Sequence, residues 1–352
     1  MFGLIMIGGR GTRFWPLSKI KKPKQLIDFT GNGEMIRLTV DRLKPVVKNK
    51  DFFVITSKHL IQPVKKILNE IKNVVGEPEG KNTAPCIAMA LGILYKNFKD
   101  EILGVFPGDH YIKKESAFVS ILKKAETFAS KNNALITIGI KPDSPHTGYG
   151  YIEFDKSKKL SPDIFKVKKF YEKPDFNKAH NFFKSGNFLW NAGIFIWKIG
   201  VIVESFKKYQ PQMYDSIIRI SNSSKKNLTK TIYEEFKKMP KISIDYAIME
   251  YSDNIVTIPA DIGWNDIGSW SSLDSINSAD KNGNVVISKK NILLSSNRNI
   301  IHCKNKMVAA IGVDDLIIAS DDDCILVCKK ESDQKVGDIV KNLESLNLRE
   351  YL

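Results

Sequence analysis

The chain has 352 residues, 43% hydrophobic and 26% charged, which excludes a disordered polymer and leaves ample length for an enzyme with more than one core. Its formal net charge of +15 is carried almost entirely by lysines spread along the chain. A nucleic-acid surface gathers arginine among aromatics, so the charge is read as a solvated surface whose field draws small polyanions, with no nucleic-acid partner.

Residues 4–7 are apolar without alternation, as in a strand buried on both faces of a parallel sheet. Further strands are expected at 52–55, 102–106 and 134–138, alternating with helices near 36–43, 60–71, 84–98 and 117–129. That alternation predicts a doubly wound, mostly parallel, Rossmann-like α/β sheet. Its ligand crevice should lie at the carboxyl ends of the strands, where the loops after Ile7 and Val105 both fall.

Extended segments follow at 151–154, 165–171 and 189–197, with a helix near 177–184. Helices then dominate to about residue 251, ahead of a strand at 255–258 and the loop ADIGWNDIGSW. After Asp280 come evenly spaced short β segments with Asn, Gly and Ser corners, and a helix over about 334–346. They suit a small β-helix or β-roll. The expected division is a main domain over 1–280 and a small β-rich domain over 281–352.

Cys86, Cys303, Cys324 and Cys328 are too few and too irregular for a disulfide framework or a zinc site. No apolar stretch approaches the ~20 residues of a membrane span and no signal peptide precedes the first strand, so a cytoplasmic protein without a membrane partner is expected.

The first strand runs into Gly8, Gly9 and Gly11, then Arg13 and Lys24. Glycine lets the backbone reach positive φ and approach a ligand, so that N–H groups can face phosphate oxygens. The Rossmann fingerprint fails because Phe14 stands where its third glycine belongs, and Gly80-Lys81 is followed by Asn82, which breaks the Walker pattern. In VFPGDHYI, Asp109 ends a buried strand and is a candidate Mg²⁺ ligand, since Mg²⁺ takes one or two carboxylates plus substrate phosphates. Asp266, in GWNDIGSW, is the second candidate. Asp321, Asp322 and Asp323 read as a solvated turn. Glu172 and Lys173, in FYEKPD, can project from a strand end toward sugar hydroxyls and a phosphate monoester. Asn191 and Gly193 add an amide and a close-approach glycine.

In order, GGRGTRFWPLS, PKQ, EPEGKNTAP, FPGDHYI, HTGYGYI, FYEKPD, WNAGIFIW, PKISIDYAIME and GWNDIGSW resemble the motif series of mannose-1-phosphate guanylyltransferases, from residue 3 to about 330. The resemblance implies a nucleotidyltransferase that joins GTP and mannose 1-phosphate into GDP-mannose and pyrophosphate with Mg²⁺. Carried over by position, Gly8, Gly9, Gly11, Thr12, Arg13 and Lys24 would hold the GTP phosphates, and Glu77, Asn82 and Thr83 would lie at the nucleoside. Asp109 and Asp266 would bind Mg²⁺, with Asp109 also at the nucleotide. Gly148, Glu172, Lys173, Asn191 and Asp266 would meet the sugar phosphate, and Asp245 would support the site. The isomerase domain of longer relatives is not matched, so isomerase activity is not expected.

Rival readings are a nucleotidyltransferase for another hexose 1-phosphate and a catalytically silent sugar-nucleotide-binding regulator. The small core of the β tail predicts a homodimer.

Overall fold

A computed structural model describes all 352 residues. In chain order the elements are β1 (Phe2–Met6), α1 (Met35–Leu43), β2 (Phe52–Ser57), α2 (Ile61–Ile67), β3 (Asn73–Glu77), α3 (Thr83–Phe98), β4 (Ile102–Pro107), β5 (Tyr111–Ile112), α4 (Glu115–Lys131) and β6 (Leu135–Ile140). They continue as β7 (Tyr151–Ser161), β8 (Ile164–Tyr171), α5 (Phe176–Ser185), β9 (Phe188–Lys198), α6 (Ile199–Tyr209), α7 (Pro211–Ser221), α8 (Leu228–Lys238) and β10 (Ile255–Ala260). The last are β11 (Trp264–Asn265), α9 (Leu273–Ile276), β12 (Val285–Leu294), β13 (Ile300–Ile311), β14 (Leu316–Ser320), β15 (Ile325–Lys329) and α10 (Val336–Ser345).

The chain divides into two compact units. The first comprises residues 1–8, 42–107 and 114–264. It carries a nine-stranded sheet in the order β3-β2-β1-β4-β9-β6-β10-β8-β7. Strands β3, β2, β1 and β4 run parallel, while β9 is antiparallel to both β4 and β6. The order reverses between β1 and β4, which lie in register from Phe2 with Leu103 to Met6 with Pro107. The chain therefore leaves both strands at one carboxyl edge, beside the topological switch point where open α/β sheets bind ligands.

Alternation sends Leu103 and Val105 of β4 to one face, into a core with α3, α6 and α7. Phe106 points to the other face, where its ring meets Phe118 of α4 at 6.4 Å edge-on. Helix α3 is buried nearly all round and touches α7 so closely that a Cβ on Gly92 would lie 2.7 Å from Ile220.

The second unit comprises residues 9–41, 108–113 and 265–352. Its four-stranded sheet has β12, β13 and β14 parallel and β15 antiparallel. Buried Asn284 and Asn299 stack at successive corners: Asn299 Nδ2 donates to Asn284 Oδ1 (3.0 Å), and Asn299 Oδ1 accepts from Leu316 N (2.9 Å). Such ladders satisfy the backbone where parallel coils turn.

The small sheet does not lack a core partner. Val285, Ile300, Ile317 and Leu326 pack with Phe14, Phe29, Ile267 and Trp270 of the same unit. The premise for predicting a dimer is thus corrected: the burial is intramolecular. A separate apolar set stays exposed: Ile292, Leu294, Met307, Ile311, Ile325 and Val327.

One predicted element differs from the structure, and one strand beside it was not predicted. The helix expected over 60–71 ends at Ile67, because Leu68 leaves helical geometry (φ −111°, ψ 58°). Strand β3 follows as an edge strand, too short and too polar at its ends to be read from NVVGE.

Candidate functional site

The second unit holds the glycine loop. Gly9 and Gly11 take φ of 83° and 61°, and a Cβ on Gly11 would lie 2.7 Å from Lys24 Cβ and 3.0 Å from Ser18 Oγ. Only glycine fits there. The left-handed Gly11 caps a single 3₁₀ turn, Thr12–Phe14, which presents Thr12 and Arg13; Arg13 Nη1 donates to the Gly268 carbonyl at 3.3 Å.

Lys24 is buried, and its Nζ donates to the Asp266 carbonyl (2.5 Å) and pairs with Asp109 Oδ2 (3.2 Å). Gln25 Nε2 donates to the same carboxylate oxygen at 3.2 Å. Gln25 was missed as a site residue, although it stands beside Lys24 in the PKQ motif. The Asp266 carboxylate lies beside Gly268, whose Cβ would meet both its oxygens at 3.3 Å.

The acidic turn at 321–323 is not merely solvated. Asp323 and Asp321 pair with Lys19 Nζ at 2.6 and 3.3 Å, which ties it to the segment that follows the glycine loop.

Gly8 ends the first unit's β1 loop, with open space where a Cβ would stand. Within that unit, a polar cluster gathers around β9. Asn191 Nδ2 donates to Asp245 Oδ1 (3.0 Å), while Asn191 Oδ1 accepts from Thr137 Oγ1 (3.0 Å) and Gly193 N (3.1 Å). Asp245 heads a π turn, Asp245–Met249, a feature frequent at functional sites. Desolvation, then the Glu172 charge, pushes its carboxyl up to about 7.

Lys173 adopts φ 46° and its Nζ lies 2.5 Å from Glu172 Oε1. Burial would lower the Lys173 pKa, but the Glu172 hydrogen bond and charge outweigh it and raise it. Gly150 leaves room for them: a Cβ there would fall 2.6 Å from Glu172 Oε2 and would displace that carboxylate. Gly148 N donates to His146 Nδ1 at 3.1 Å, so this predicted ligand group is used within its own turn.

Glu77 ends β3, and desolvation raises its carboxyl to about 7. Asn82, at φ 75°, caps α3 by accepting from Thr83 N (2.8 Å), and Thr83 Oγ1 accepts from Ile244 N (2.8 Å). Both therefore have structural duties. Lys81, of the broken Walker pattern, closes the end of α8 on the carbonyls of Phe236, Lys237 and Met239.

A phosphate-type glycine loop backed by lysine and carboxylate, in a chain whose parallel sheet has a switch point, defines a nucleotidyl transferase, and the model of that family matches residues 2–283. Residues 289–343 match the MannoseP isomerase/GMP-like beta-helix domain. The mannose-1-phosphate guanylyltransferase RfbM of Salmonella typhimurium is 35% identical over 99% of this chain and 73% of its own length. Mannose-1-phosphate guanylyltransferase 2 of Escherichia coli O157:H7 is 36% identical over 100% of this chain and 75% of its own. A crystal structure of a mannose-1-phosphate geranyltransferase from Thermus thermophilus superposes with a TM-score of 0.88 at 27% identity, covering 97% of this chain and 99% of that one. The chain belongs to the mannose-1-phosphate guanylyltransferase family of nucleotidyl transferases. No helix is long and apolar enough to cross a membrane.

Proposed function

We propose that this chain joins GTP and mannose 1-phosphate into GDP-mannose and pyrophosphate. The observation that carries the reading is the meeting of the Lys24 ammonium with the Asp109 carboxylate and the Asp266 carbonyl behind a left-handed glycine loop. The choice of guanine and mannose rests on the relatives' names.

The attacking group is a phosphate oxygen of mannose 1-phosphate, already anionic, so no protein nucleophile is needed. It forms a bond to the α-phosphorus of GTP in line with the α,β-bridging oxygen; the bond from the α-phosphorus to that bridging oxygen breaks, and its electron pair leaves with pyrophosphate. The protein's work is positioning and charge. Lys24 and Arg13 hold the triphosphate, with N–H groups of the glycine loop. Lys173 holds the sugar phosphate, while Glu172 and Asn191 meet sugar hydroxyls. Glu77 lies at the nucleoside.

The Asp109 carboxylate and the Asp266 carbonyl converge on a cation that is now Lys24, and hard oxygens of this kind are what Mg²⁺ takes alongside substrate phosphates and water. Asp109 and Asp266 would hold it, and when bound it supplies positive charge to the transferring phosphoryl group.

All four cysteines are free thiols, in keeping with a cytoplasmic setting. The exposed apolar set on β12, β13 and β15 supports a homodimer through the small sheet.

The test is pyrophosphate release with Mg²⁺, crossing GTP, ATP, UTP and dTTP against mannose, glucose and galactose 1-phosphates, with Asp109→Asn as blank. Turnover confined to GTP and mannose 1-phosphate, and lost in the blank, is expected. Binding of GDP-mannose without turnover of any pair would replace the reading with a regulator.

A further inference from the structure

Asp245 stands in a motif, SIDYAIME, that the proposed chemistry leaves without a task. Its side chain meets Asn191, and the hydrogen bonds of that amide leave little freedom. The N–H of Gly193 can only donate, and it points at Asn191 Oδ1 from 3.1 Å. Thr137, fully buried in β6, donates its hydroxyl to the same oxygen at 3.0 Å. Turning the amide over would set an NH₂ group against the Gly193 N–H, leaving a donor without an acceptor. The opposite end of the amide meets an acceptor, Asp245 Oδ1, at 3.0 Å. One N–H of Nδ2 is left uncommitted, and both acceptor positions of Oδ1 are filled.

We propose that Asp245 is a positioning residue that fixes the Asn191 amide so that it offers the sugar phosphate a hydrogen-bond donor and no acceptor. The inference rests on the reading of Asn191 as a sugar-phosphate contact. It commits the site to an acceptor oxygen of the ligand, either a hydroxyl lone pair or a phosphate oxygen, at the atom Asn191 meets.

The charge on Asp245 is part of the device. An ionised carboxylate accepts strongly, and a protonated one loses the charge-assisted half of the bond. The groups that bear on it are Glu172 and Lys173, from the turn after β8, and the Asn191 amide from β9. Glu172 opposes ionisation while Lys173 and Asn191 favour it, and burial holds the carboxyl near neutrality. The grip of Asn191 on the sugar phosphate should therefore loosen as the pH falls through about 7.

The experiment measures KM for GTP and for mannose 1-phosphate between pH 6 and 8.5 in the wild type, Asp245→Asn, Asn191→Ala and Thr137→Val, with melting temperatures to check folding. For Asp245→Asn, KM for mannose 1-phosphate is expected to rise roughly ten-fold at pH 8, the scale of one charged hydrogen bond, with KM for GTP little changed. The wild-type rise in that KM toward low pH should shrink in this variant to the part due to the sugar phosphate's own ionisation. Asn191→Ala should show the same selective rise without the added pH step.

If Asn191→Ala left KM for mannose 1-phosphate unchanged, the sugar-phosphate reading would fail and take the inference with it. If Asn191→Ala raised it but a folded Asp245→Asn did not, the reading would stand and the positioning role would be wrong. An equal rise for both substrates in Asp245→Asn, with a lowered melting temperature, would also overturn it, as a general loss of structure.

Discussion

Lys24 Nζ lies 3.2 Å from Asp109 Oδ2, a buried cation on a carboxylate that the chain supplies from 85 residues away in sequence. Without substrates, this pairing neutralises both groups. With a triphosphate and Mg²⁺ each would find a new partner, so the bridge is a stand-in whose parts are to be exchanged. A buried charge left alone is expensive, which makes the two ends unequal in mutation.

Asp109→Asn should therefore cost more than turnover. It removes a proposed metal ligand and leaves Lys24 on the Asp266 carbonyl alone. Turnover should fall at least a hundred-fold, and raising Mg²⁺ should recover little of it. Near-normal turnover at saturating Mg²⁺ would remove Asp109 from the metal site. Lys24→Met, by contrast, should raise KM for GTP while leaving the Mg²⁺ requirement in place.

Lys173→Ala should weaken mannose 1-phosphate more than GTP. A charged hydrogen bond is worth ~1.5 to 3 kcal/mol, which is roughly ten- to a hundred-fold in KM. Lys173 is held at φ 46°, a conformation as costly for alanine as for lysine, so the melting temperature should change little beside the loss in binding. Equal losses for both substrates would move Lys173 out of the sugar-phosphate site.

Much of this was legible in the residues. The unbroken apolar run of β1 and the glycines after it announce a buried parallel strand and a phosphate-type loop, because both follow from local backbone demands. Strand β9 was legible as an extended segment, but its antiparallel place between β4 and β6 was not, since pairing is a long-range choice that no single segment encodes. Gln25 and Thr137 escaped notice for a similar reason: each acts only through a partner distant in sequence, Asp109 and Asn191 respectively. Asp321 and Asp323 looked solvated because their partner, Lys19, is 302 and 304 positions away.

Glu77 makes a pH prediction with a definite sign. Desolvation raises its folded carboxyl from 4.5 to about 7, so the folded state keeps a proton that the unfolded state has released between those values. Stability from this group is present below about 4.5 and is lost as pH rises toward 7. Glu77→Gln has no such loss. Unfolding free energies of variant and wild type should converge near pH 4.5 and separate by pH 8 in favour of the variant, by at most about 3 kcal/mol. If Glu77 meets the nucleoside, the stabilised variant should also bind GTP more weakly. A constant offset across the pH range would show that Glu77 ionises normally.

The exposed apolar set on the small sheet predicts self-association. Met307→Lys with Ile311→Lys puts two charges among side chains that are 57% and 72% exposed, so the fold should tolerate them. Light scattering at micromolar concentration should give a dimer for the wild type and a monomer for the double variant, with unchanged melting of the monomer. A wild-type monomer would end the proposal.

Gly11 tests the loop without touching a charge. Alanine at φ 61° costs about 1 to 2 kcal/mol for the left-handed backbone, and its Cβ would press on Lys24 Cβ from 2.7 Å. The backbone cost lowers the melting temperature, but the second effect is the informative one, because Lys24 must shift off the Asp109 carboxylate or the loop must open. Gly11→Ala should raise KM for GTP and slow turnover well beyond what its melting temperature explains, with KM for mannose 1-phosphate close to wild type. Gly9→Ala is the companion: it shares the positive φ, 83°, but a Cβ there meets no atom within 4 Å of its own surroundings. Its stability loss should be similar and its turnover loss smaller, unless a bound phosphate fills that open space, in which case GTP binding would suffer in Gly9→Ala as much as in Gly11→Ala.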